Sequence, residues 1–234
     1  MPGNIPPPTH VLTDVMLAWT TGTIVLAAAS RFFGEIQPGH FKVMWLVGAG
    51  LGFASGFGYR YAFAISGLCL VTYVTIYADS DGPAGSLTAV ASLIVLGAGT
   101  DLSAESFAVA LLLGAVSNAM LLGHWYLVQP GLGRDAIKEL VVLTAVVWPF
   151  EVLVWLWPTG MVQVFNGTVD DGYDGLLAYV WLACAVATIG LVVFTWFALR
   201  ERYYSAVMAA TGLLYLAILT AFGTDLIARA VLRA

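Results

Sequence analysis

Charge is what this sequence has least of. Asp, Glu, Lys and Arg make up 10% of its 234 residues, against about 25% in an ordinary soluble domain. A water-facing surface cannot be assembled from so little, and the 60% hydrophobic content and mean hydropathy of +0.90 point the same way. Cysteine is almost absent. Cys69 and Cys184 both fall inside apolar runs, which argues against a disulfide framework and reads as two small core residues. The formal charge of −5 comes from a handful of acidic loop residues, so there is no basic face and no nucleic-acid partner is expected. Lysine occurs only as Lys42 and Lys138, at the ends of apolar runs. A Schiff base needs a lysine within a span, so retinal is excluded. Phosphate-cradling loops, metal-ligand clusters and nucleophile elbows are missing as well. No catalytic residue and no metal site is assigned, and the chain is not expected to be an enzyme by itself. The turn DSDGPAG has two acids in seven residues, too few for a calcium loop.

What is present is one apolar run after another. A hydrocarbon core about 30 Å thick takes about 20 apolar residues per crossing helix. Lipid offers no partner for a backbone amide, so each run must be a helix or a barrel strand, and the lack of period-2 alternation selects helices. The expected fold is all-α, a polytopic transmembrane helical bundle of about eight spans near 14–33, 41–59, 62–78, 86–99, 105–128, 136–158, 176–199 and 203–232. The count drops to seven if the short fourth run does not cross. Residues 14–232 form one domain, and residues 1–13, with four prolines and no Lys or Arg, read as an extended tail rather than a signal peptide.

Eight spans put both termini on one side. The 1–2, 3–4, 5–6 and 7–8 loops hold Arg31, Lys42, Arg134, Lys138, Arg200 and Arg202, and the other side holds Arg60, Arg229 and Arg233. The positive-inside rule places the first set in the cytoplasm and both termini outside. The compact chain fits a multi-pass protein of a prokaryotic inner (plasma) membrane. A faint repeat suggests a 4+4 parallel duplication: Ile36-Gln37-Pro38-Gly39 and Val128-Gln129-Pro130-Gly131 close the first and fifth spans alike, each with a basic residue soon after, Lys42 and Arg134.

Three constellations stand out. Gly48, Gly52 and Gly56 recur at four-residue spacing in the second span, a small-xxx-small ridge for close helix packing, or else a groove for a flat cofactor. On the fifth span His124 is the only histidine inside an apolar run, followed by Trp125 and Tyr126 and preceded by Asn118. A buried imidazole can donate to a quinone carbonyl or ligate haem b, with His40, Met44 or Met120 as a second axial ligand; the plainer reading is a structural histidine bonded to a neighbouring helix. On the sixth span Trp148, Glu151 and Trp155 share one helical face just after Pro149. A carboxylate inside the bilayer costs about 2.5–3.5 kcal/mol on insertion scales, so it must be neutralised, paired or wetted. Asp225 and Arg229 form an i, i+4 pair at the outer end of the eighth span, and Asp14 lies at the same level.

Two functions follow as expectations. The first is a membrane subunit of a larger energy-converting assembly, respiratory or another electron-transfer complex, serving a structural or quinone- and lipid-contacting role beside other membrane subunits. The second is a small secondary transporter or channel for protons or cations that uses Glu151, with Trp148, Trp155 and Asp225 around it.

Overall fold

The computed structural model describes residues 8–30, 38–77, 84–100, 103–128, 132–157 and 160–232. Among these residues there are nine helices and no strand: α1 (Pro8–Ser30), α2 (Pro38–Ser55), α3 (Ala62–Tyr77), α4 (Ala84–Thr100), α5 (Ala104–Val128), α6 (Asp135–Leu156), α7 (Met161–Phe165), α8 (Leu176–Arg200) and α9 (Tyr204–Leu232). Eight of them are long and fall on the eight expected apolar segments. Five of the described helices, α1, α5, α6, α8 and α9, are long and apolar enough to cross a membrane, and α3 and α4 are shorter apolar helices. This is the architecture of a multi-pass helical membrane protein. Large apolar side chains stand exposed on its outside, Phe53, Phe57, Val146, Phe194 and Leu219 among them; water would not tolerate so much exposed apolar surface, and lipid accepts it.

Two boundaries differ from expectation. The extended tail expected over residues 1–13 gives way to helix from Pro8 onward. A proline fits the first helical turn because the N–H it lacks would find no acceptor there, and the apolar residues after it carry the helix back from Asp14. The connection between the expected spans 136–158 and 176–199 also holds a short helix, α7. Residues 36–37 and 129–131 of the repeated segments, and residues 79–83 of the DSDGPAG turn, lie outside the described residues.

The acidic loop after α7 has a defined job. Asp171 Oδ1 accepts the backbone N–H of Tyr173 at 3.0 Å and of Gly175 at 2.8 Å, and Oδ2 accepts that of Leu177 at 2.9 Å. These donors open α8, so the carboxylate caps its positive end. Desolvation opposes the charge on Asp171, but the N–H donors of Gly175, Tyr173 and Leu177 outweigh it and hold the carboxyl below the usual aspartate range.

The long helices pack as two rings. In the first, α1 packs on α2, α2 on α3, α3 on α4, and α4 returns to α1. In the second, α5 packs on α6, α6 on α8, α8 on α9, and α9 returns to α5. The rings meet chiefly along α1 and α5, which are the most deeply buried of the candidate spans. Gly22 and Gly114 lie in that crossing: a Cβ on Gly22 would collide with the backbone of Ala110, and one on Gly114 with the backbone of Gly22. Only glycine allows this approach.

Candidate functional site

The buried charged groups converge at one end of the bundle. On α9 helical spacing stacks Asp225 one turn below Arg229, and Arg229 Nε donates to Asp225 Oδ1 at 2.9 Å and Oδ2 at 3.0 Å. Both side chains are fully buried. Arg229 Nη1 sits 4.0 Å from Asp14 Oδ2 on α1, and Nη2 reaches Ser106 Oγ on α5 at 3.5 Å. Tyr59, in the turn between α2 and α3, donates its hydroxyl to Asp14 Oδ1. The Arg229 guanidinium also lies over the Trp155 ring of α6, 5.5 Å from its centroid, where the π face attracts a cation.

Glu151, one turn before Trp155, completes the group. It is 0% exposed and lies within electrostatic reach of Asp225 and Arg229. Among the described residues neither of its carboxyl oxygens meets a donor at bonding geometry. The Trp155 indole N–H is near enough to act on its charge but does not align with it as a hydrogen bond. Pro149 removes the N–H that the carbonyl of Ala145 would accept, which leaves a spare acceptor one and a half turns away along α6.

Asp225 and Asp14 thus share the Arg229 guanidinium, and the buried Glu151 carboxyl lies within electrostatic reach of Asp225 and Arg229. Burying a charged carboxylate without a bonded donor costs several kcal/mol, so Glu151 is the member of the group for which holding a proton relieves most. Among the described residues no three acids, histidines or cysteines lie close enough to ligate one metal ion. A proton, which needs only one oxygen, suits this spacing. An open cleft of about 450 Å³ lies at the same end, between α7 and the start of α8, with Asp170, Asp171 and Asp174 on its wall. None of its lining residues belongs to the cluster.

The other expected site residues are placed differently. His124 is on an exposed face of α5, while Tyr126 is buried and donates to the Gly133 carbonyl. Trp125 is half-buried, its ring against Gly39. Asn118, two turns before Trp125, is buried and donates from Nδ2 to the carbonyls of Gly114 at 2.8 Å and Thr23 at 3.3 Å, tying α5 to α1. His40 is buried on α2 and packs edge-on against Phe41, whereas His124 is exposed. Trp148 donates its indole N–H to the Ala185 carbonyl at 2.9 Å, which fastens α6 to α8. The glycine row is a packing surface: Gly48 rests on Ile24 and Cys69, Gly52 on the backbone of Ser66, and Gly56 on the ring of Phe63. Compared with protein-family models, curated proteins and solved structures, the chain matches nothing.

Sequence reasoning had Glu151, Trp155, Asp225, Arg229 and Asp14 in view but not their meeting. Ser106 and Tyr59 escaped it. A serine in the first turn of α5 looks like a capping residue, and indeed its N–H is capped by Ser103 Oγ at 3.2 Å.

Proposed function

We propose that this chain is a small secondary transporter or channel that moves protons across a prokaryotic plasma membrane, crossing it eight times with both termini outside. Glu151 is the proton-exchanging group, and Asp14, Asp225 and Arg229 set the field in which it gains and loses its proton. The observation that carries this reading is the fully buried Glu151 carboxyl, without a bonded donor among the described residues and within electrostatic reach of the Asp225 and Arg229 pair. Intramembrane acids arranged in this way are the usual elements of proton relays. The acidic wall of the neighbouring loop gives the same end a negative potential, which concentrates cations.

The test is proton flux in liposomes loaded with a pH-sensitive dye. Glu151→Gln keeps the shape and removes the titrating proton, and it is expected to lower flux by about a hundredfold or more, the scale of a positioned proton-transfer group. Replacing the proton gradient by a sodium or potassium gradient separates a proton site from a metal-cation site. A structural or quinone-contacting subunit of an electron-transfer assembly draws on His124 and Trp125 instead. Flux that is unchanged in Glu151→Gln, together with partners that co-purify in fixed ratio in mild detergent, would replace the proton reading with that one.

A further inference from the structure

The two rings correspond residue by residue. Along α3 the buried positions are Ala62, Ile65, Cys69 and Thr72, and along α8 the same spacing gives Ala178, Trp181, Ala185 and Thr188. In the first ring Thr72 and Thr88 are bonded hydroxyl to hydroxyl at 2.9 Å, linking α3 to α4; in the second, Thr188 and Thr220 are bonded the same way at 2.8 Å, linking α8 to α9. The hydroxyls of Thr72 and Thr188 each also bond the carbonyl four residues back. On α2 and α6 one constant register pairs Lys42 with Lys138, the only lysines, and buried Phe41, Met44 and Trp45 with buried Ile137, Leu140 and Val141. On α1 and α5 the register that matches the two Gln-Pro-Gly segments also pairs Gly22 with Gly114, the residues found facing one another in the crossing.

Such agreement in packing order, burial, hydrogen bonds and charge at one register per helix pair is what a duplicated unit leaves behind. Each unit has four long helices, so both enter the membrane from the same side and the relating axis runs along the membrane normal. Equivalent residues meet across such an axis, as Gly22 and Gly114 do. Continued along these registers, the charged site is unequal. Glu151 corresponds to Ser55, Asp225 to Leu93 and Arg229 to Gly97, whereas Asp14 corresponds to Ser106. The cluster is thus built in the second unit and closed by Asp14 and Tyr59 of the first, across the seam.

We propose that the chain is a tandem duplication of a four-helix unit, and that the two units move as separate bodies about the Gly22 and Gly114 crossing, uncovering Glu151 to one side of the membrane at a time. This rests on the proton reading above. Repeat-built transporters carry their sites at the repeat interface and rock one repeat against the other around them. The smooth glycine contact permits sliding, while the threonine pairs hold each unit together internally.

Spin-label distances in the reconstituted full chain test it, in a Cys69→Ala, Cys184→Ala background. One label pair spans the units, at Ala98→Cys and Tyr173→Cys, and a second lies within the first unit, at Arg60→Cys and Ala98→Cys; all of these positions are exposed. Between acidic and alkaline buffer the between-unit distribution is expected to shift by more than its own width, and the within-unit one to stay. Glu151→Gln is expected to hold the between-unit distance at its acidic value. Oxidising Thr72→Cys with Thr88→Cys, a staple inside one unit, is expected to leave proton flux intact. If the within-unit distance moves as far as the other, or neither moves, the two-body motion is overturned whether or not protons flow. Flux in Glu151→Gln decides the proton reading separately.

Discussion

Arg229 is the residue on which the buried cluster balances. It pairs with Asp225, faces Asp14 and covers Trp155. Removing one member of a buried ion pair typically costs about 3–5 kcal/mol, because the survivor is left charged in a poor solvent. Arg229→Met is expected to lose that much, read as a fall of roughly 10 °C in thermal midpoint on the scale of about 2–4 °C per kcal/mol for chains of this length. Adding Asp225→Asn removes the stranded charge and is expected to recover part of the loss. A double mutant no better than Arg229→Met would show that the pair is not the source. The Asp225 and Arg229 pairing was legible in the sequence, because helical geometry makes residues four apart neighbours. So was the kinship of Glu151 with Trp155. Their meeting with Asp14 was not, since contact between α1 and α9 depends on how distant helices pack, and no local pattern encodes that. The outward direction of His124 was illegible for a related reason: a polar residue in an apolar run is easy to see, but its side of the helix is set by how the helices pack.

Glycines divide the elements into contacts and spacers. The evenly spaced row of α2 was readable as a ridge because it repeats within one helix. Gly22 and Gly114 were not, being single glycines on separate helices whose significance is the crossing they share. Gly22→Leu places a side chain into the backbone of Ala110, and it is expected to abolish the folded protein, measured as loss of the monodisperse peak in detergent chromatography. Gly212→Ala, where nothing lies within 4 Å of an added methyl, is expected to be neutral or to stabilise by up to about 1 kcal/mol through helix propensity. Equal effects at the two positions would refute the packing account. At the start of α8 the Asp171 cap carries a pH signature. Its carboxyl is held below the ordinary range, so its stabilising contribution is present above the unfolded value and is lost as pH falls through the folded one. Amide exchange at Gly175 and Leu177 is expected to quicken in that acidic window, and Asp171→Asn is expected to show the faster exchange at every pH. Protection that is unchanged in the mutant would mean that the loop backbone holds itself.

At the scale of the whole molecule the fold class could be read from composition, because a chain with so little charge has few ways to fold except among lipids. The same composition hides the internal symmetry. Nearly every position is apolar, so equivalent residues seldom look alike in sequence, and the correspondence shows in burial and hydrogen bonding. Symmetry makes a strict demand on topology. Arg60 follows α2 and Asn166 follows α6, and in the second unit α6 takes the place of α2. Under the proposed eight crossings four of them intervene, an even number, which puts both residues on one face of the membrane. Arg202 sits at the other end, where Arg134 donates to the backbone carbonyls of Glu201, Arg202 and Tyr203 and clamps two connections together. Single cysteines at Arg60 and Asn166 are therefore expected to react with an impermeant maleimide added to intact cells, and one at Arg202 only after the membrane is opened. Labelling of all three in the reverse sense would turn the protein over and leave the two-unit architecture standing. Labelling of Arg60 and Asn166 from opposite sides would leave an odd number of crossings between them, and no parallel duplication of four helices survives that.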